Sequence, residues 1–88
     1  MANRRELKRN INYVFEDIIE AAYLHQALHP ETDKEKSEAI VDEAIADFDA
    51  LIAMMNVRDV ENKKAHFKKV QKELEEKATD LVEKINAL

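Results

Sequence analysis

The chain has 88 residues, 38% of them charged and 45% apolar, with 14 basic and 19 acidic side chains giving a net charge of −5. That length supports one domain with a narrow core. With no glycine, no cysteine and a single proline, the composition excludes glycine-built phosphate loops, strained nucleophile turns, disulfides and thiolate metal sites, and it points to a chain that is nearly all helix.

The spacing predicts a first helix over about residues 3–28. Asn3 followed by Glu6 forms a capping box. Leu7, Ile11, Val14, Ile18, Ala21, His25 and Leu28 recur at steps of three and four. Phe15, Ile19 and Ala22 widen that stripe until it faces two neighbours. The residue before a proline is pushed out of the helical region, so His29-Pro30 ends this helix.

A second helix is expected over about residues 33–56, opened by Thr32 and Glu35 as another capping box. Its buried face should hold Ser37, Ile40, Val41, Ala44, Ile45, Phe48, Leu51, Ile52 and Met55. A third helix, about 62–87, carries Phe67, Val70, Leu74, Ala78, Leu81, Val82, Ile85 and Leu88, with a small stutter between Leu74 and Ala78. The joint between the second and third helices is weakly marked. Asn56, Asp59 and Asn62 are all cap-type residues, and a break is expected near residues 57–62. The rival is one continuous helix from about 33 to 88, whose wide faces would need a second chain to cover them. Short connections make successive helices antiparallel, so the expected fold is all-α, an up-down-up three-helix bundle filling a single domain over residues 1–88.

That topology sorts the charge by end. Residues 1–14 and 49–72 share one end and carry ten cations against four acids, a net of +6. The cations are Arg4, Arg5, Lys8, Arg9, Arg58, Lys63, Lys64, Lys68, Lys69 and Lys72. The remaining residues carry four lysines and fifteen acids, a net of −11. Cations at a helix N-terminus oppose the macrodipole. They point either to an anionic partner (nucleic acid, anionic membrane or an acidic protein surface) or to neutralisation of the C-terminus of the second helix. The acidic end of another copy would also fit. The candidate anion- or partner-binding residues are Arg4, Arg5, Lys8, Arg9, Lys63, Lys64, Lys68 and Lys69. Tyr13 and Phe67 are the only aromatics near them, which gives little basis for stacking on single-stranded bases.

His25 and His29 have the spacing of paired imidazole ligands on one helix face, with Glu31, Asp33, Glu35 and Glu38 nearby. The HExxH and Glu-x-x-His patterns are absent. The expectation is a core-edge histidine at 25, a helix-terminal histidine at 29, an exposed His66, and no metal or other cofactor. Glu16, Asp17 and Glu20 lie off the apolar stripe, and a slim bundle leaves little room for a shielded acid–base pocket, so a non-enzymatic protein is expected. On the second helix, Ala39, Ala46, Ala50 and Ala53 form one flank, with Met54 beside it and Val57 continuing the line. This is the candidate dimer face, because small residues permit close helix approach and methionine adapts to a partner.

The opening Met1–Lys8, the Ile11-Asn12-Tyr13 that follows, and the His29–Lys36 turn resemble a group of small, all-helical bacterial proteins of unassigned function. The resemblance runs along most of the chain and implies a bacterial protein. It brings no catalytic or binding residues with it. No stretch reaches the roughly 20 apolar residues of a membrane-spanning helix, and no apolar run follows the first basic residues, so a cytoplasmic location is expected. The leading expectation is a helical interaction or structural module that binds another protein or a second copy of itself. The alternative is an anion-binding module acting through the basic end.

Overall fold

The computed structural model of the chain describes residues 4–31, 34–57 and 60–88. Three helices follow in order: α1 over Arg4–Leu28, α2 over Lys34–Met55 and α3 over Lys63–Asn86. The capping boxes expected at Asn3 and at Thr32 lie outside the described residues. The longest helix has 25 residues, about 38 Å at 1.5 Å per residue, and the molecule measures 51 × 19 × 16 Å.

Side-chain contacts fix the direction of each helix. At the start of α1, Arg4 Nη2 donates to Asn56 Oδ1 just past the end of α2, at 3.2 Å. Near its other end, Gln26 Nε2 donates to Ser37 Oγ in the first turn of α2, at 2.7 Å. Lys84, late in α3, reaches Glu43 in α2, while His66, early in α3, meets the Met54 carbonyl. The helices therefore run up, down and up, and every pair of them is in contact.

The core follows the apolar stripes. Leu7, Ile11, Phe15, Ile18 and Ala22 of α1 meet Ile40, Ala44, Leu51 and Met55 of α2 and Val70, Leu74 and Leu81 of α3. Phe15, 1% exposed, is the largest fully buried side chain. Its ring meets Phe48 edge-on at 6.0 Å between centroids, the T-shaped geometry that ring quadrupoles favour. Ser37 is the one buried polar side chain among the described residues. It accepts from Gln26 and donates to the Lys34 carbonyl at 3.0 Å, so its burial leaves no unpaired group.

Three residues placed in the buried faces by periodicity are open to solvent: Leu28, Ile45 and Val82. Leu28 sits at the last turn of α1, beyond the final core layer. Ile45 and Val82 each follow a buried residue, Ala44 or Leu81, and one residue turns the side chain by about 100°. His66, expected to be exposed, is half-buried, because its ring is drawn onto the end of α2.

The break between α2 and α3 falls where it was expected, and the continuous-helix alternative does not hold. Of the three candidates Asp59 lies outside the described residues, and Asn62 caps α3. It is extended, at φ −127° and ψ 100°, and its Oδ1 accepts from the Ala65 N–H at 3.1 Å. No described residue has positive φ. The described residues on either side of both turns thus need no left-handed conformation that would call for glycine.

Candidate functional site

The cations of the basic end come together as the topology requires. Arg4, Arg5, Lys8 and Arg9 open α1, and Lys63, Lys64, Lys68, Lys69 and Lys72 occupy the first half of α3; Arg58 lies outside the described residues. All nine described cations are exposed. Among the described residues none of them forms an ion pair with a carboxylate. Arg4 makes a hydrogen bond to a neutral amide only.

Of the four lysines of the other end, Lys34 and Lys36 are likewise exposed and outside any ion pair among the described residues, but Lys77 and Lys84 behave differently. Lys84 Nζ lies 2.7 Å from both oxygens of Glu43 and 3.2 Å from Asp80. Lys77 lies 3.5 Å from Asp47. The hydrogen bonds to Glu43 and then Asp80 raise the Lys84 pKa above 10.5 against an opposing effect of burial, with lesser help from the charges of both acids. The contrast follows from register. Lys77 and Lys84 stand level with Asp47 and Glu43 of α2. The lysines nearer the start of α3 stand level with the last turns of α2, where Ala50, Leu51, Ile52, Ala53, Met54 and Met55 offer no carboxylate.

A cleft of about 450 Å3 opens within the basic end. Met55, Val57, Val60 and Phe67 supply its apolar walls, and Arg4, Lys63 and His66 complete it. All three helices contribute. His66 Nε2 lies 2.7 Å from the Met54 carbonyl. A carbonyl can only accept, so Nε2 carries the proton and the ring is fixed against the end of α2. Periodicity did not reveal this cleft: it set Val57 in line with the alanines of the second helix and gave Val60 no place, whereas both lie beyond the end of α2 and wall the cleft.

The alanine flank of α2 is where the sequence placed it. Ala39, Ala46, Ala50 and Ala53 are exposed, whereas Val57, expected to continue the line, lies beyond the end of α2 and lines the cleft. Ile45 joins the alanine row unexpectedly, at 47% exposure. Met54 does not belong to the open face. Its side chain packs against the core and its carbonyl takes the His66 bond. Glu38, Asp42 and Asp49 run along the same side of α2 as this row and form no ion pair among the described residues.

His25 and His29 keep their four-residue geometry despite Pro30. The His29 N–H still donates to the His25 carbonyl at 3.0 Å, and the two rings lie 4.5 Å apart at 35°. His29 Nδ1 is 3.9 Å from Glu31. Among the described residues no group of three or more histidines and acids is arranged to hold a metal ion. No helix among them is long and apolar enough to cross a membrane.

Compared with family models, curated proteins and solved structures, the chain matches none.

Proposed function

We propose that this protein is a non-enzymatic helical interaction module, and that its basic end docks an acidic protein surface. One observation carries the reading: nine exposed cations at that end have no carboxylate partner among the described residues, whereas two of the four lysines of the opposite end, Lys77 and Lys84, are held in cross-helix pairs. Cations retained against two helix dipoles, without carboxylate partners among the described residues, fit an external anion better than a structural role. An acidic protein fits better than a nucleic acid. Phe67 is engaged with the core, Tyr13 is left as the exposed aromatic near the cations, and the net charge of −5 repels a long polyanion. The bacterial, cytoplasmic setting expected from the sequence is part of this proposal.

The test is a pull-down from bacterial lysate at low and high salt, with the natural chain and an Arg5→Glu/Lys64→Glu variant. An acidic protein retained by the natural chain, released by salt and lost with the variant supports the reading. Capture that the variant leaves unaltered contradicts it.

The exposed row of Ala39, Ala46, Ala50 and Ala53 with Ile45 favours a second contact surface on α2. A homodimer across this face would bring Glu38, Asp42 and Asp49 of two copies close to one another, so a cationic helix is the better occupant. Sedimentation separates the two. Self-association that strengthens with salt and vanishes in Ala50→Glu supports the dimer, and a monomer at all salt concentrations excludes it.

A further inference from the structure

The cleft at the joint draws its lining from all three helices. The hollows along Arg5–Glu16 and Glu75–Glu83 each lie on a single helix, a third lies between α2 and the end of α3, and this one is framed by α1, the end of α2, Val57, Val60 and α3. Its volume, about 450 Å3, is similar to theirs, and its lining sets it apart. Met55, only 2% exposed, and the half-buried Phe67 carry the core surface out to this opening.

The polar groups on the cleft are of one sign. Arg4 is held by a single bond from Nη2 to Asn56 Oδ1, which leaves the remaining guanidinium donors for another acceptor. Lys63, the first residue of α3, has no ion-pair partner among the described residues. It also sits at a helix N-terminus, where the macrodipole favours an anion. An inorganic anion would gain nothing from Met55, Val60 and Phe67. A neutral apolar molecule would gain nothing from Arg4 and Lys63. The planar, forked guanidinium matches a carboxylate.

We propose that this cleft binds a small amphipathic monocarboxylate, its apolar tail against Met55, Val57, Val60 and Phe67 and its carboxylate between Arg4 and Lys63. The inference shares those two cations with the docking surface proposed above, but it does not require that surface to bind a macromolecule.

The test is a titration of the full-length, nitrogen-15-labelled chain with sodium octanoate, followed by backbone NMR shifts, with octanol and inorganic phosphate as controls. Octanoate should produce saturable shifts centred on residues 4–8 and 54–67, with a dissociation constant on the order of 5 mM, as expected for so few heavy atoms. Octanol and phosphate should give none that saturate there. Val57→Asp, at a half-exposed wall position that tolerates a polar side chain, and the double variant Arg4→Gln/Lys63→Gln should each weaken octanoate binding by about tenfold or more. Their helical circular dichroism should match the natural chain. An Arg5→Glu/Lys68→Glu/Lys69→Glu variant, altered outside the cleft, should keep octanoate binding while losing any acidic protein captured by the basic end. The proposal is overturned by unsaturable or chain-wide shifts, by octanol binding as well as octanoate, or by a folded Val57→Asp variant that binds unchanged.

Discussion

The two ends of this bundle are built from the same three helices but handle charge in opposite ways. At the acidic end, Lys77 and Lys84 of α3 cross to Asp47 and Glu43 of α2 and tie the helices together. At the basic end, the lysines and arginines of α1 and α3 stand in solvent without carboxylate partners among the described residues. The composition of α2 makes the difference. Its first two-thirds carry acids within reach of α3, and its last six residues, Ala50–Met55, carry none. Two lysines thus fasten α3 to α2 at one end, and no cation does so through a carboxylate among the described residues at the other.

Both ends hang on the core between them, and breaking it should have the largest effect. Phe15→Ala should cost about 3–5 kcal/mol, by removing a fully buried ring and its edge-on contact with Phe48. Small domains hold only about 5–15 kcal/mol in total. Urea unfolding followed by circular dichroism should therefore show a much lower midpoint, or no folded baseline. A smaller effect should come from the joint. Asn62→Ala removes the side-chain acceptor for the Ala65 N–H and should cost about 1 kcal/mol. Backbone amide exchange should then quicken in the first turn of α3 and leave the acidic end unaltered.

The smallest effect belongs to the acidic-end fastener. The folded pKa of Lys84 is raised above 10.5. Its contribution to stability is therefore fully present below that value and is lost as pH rises through the raised one. The urea midpoint of the natural chain should fall over that alkaline window. Glu43→Gln, which removes the largest cause of the shift, should flatten the fall. Identical slopes in the two proteins would show that the Lys84–Glu43 pair is not coupled to folding.

Much of the fold was legible in the sequence because it is local. Helix ends at His29-Pro30 and at Asn62 depend on a few adjacent residues, and the stripe from Leu7 through Ala22 is set by helical geometry alone. The charge sorting followed once the topology was in hand. Long-range pairing was harder to read. Ser37 was placed on the buried seam, but its partner Gln26 lies eleven residues away across a turn. Leu28, Ile45 and Val82 were misplaced because periodicity marks an apolar stripe without saying how much of it the neighbouring helices cover. His66 was misplaced because the acceptor that draws it inward is a carbonyl, and every residue has one. The cleft depends on Val57 and Val60, in the weakly marked joint where the helical line placed Val57 on the flank of the second helix instead.

The central claim is that the basic end faces an external partner and does not hold the bundle together. The most direct test is the stability of an Arg5→Glu/Lys63→Glu/Lys64→Glu variant, measured by urea unfolding at low and high salt. If those cations serve an external anion, reversing them relieves repulsion and suits the helix dipoles. The variant should then be more stable than the natural chain by about 0.3–1 kcal/mol per helix-terminal charge, and salt should shrink the gain. A variant less stable than the natural chain at low salt would contradict the claim, because it would mean that these cations are part of what holds the fold.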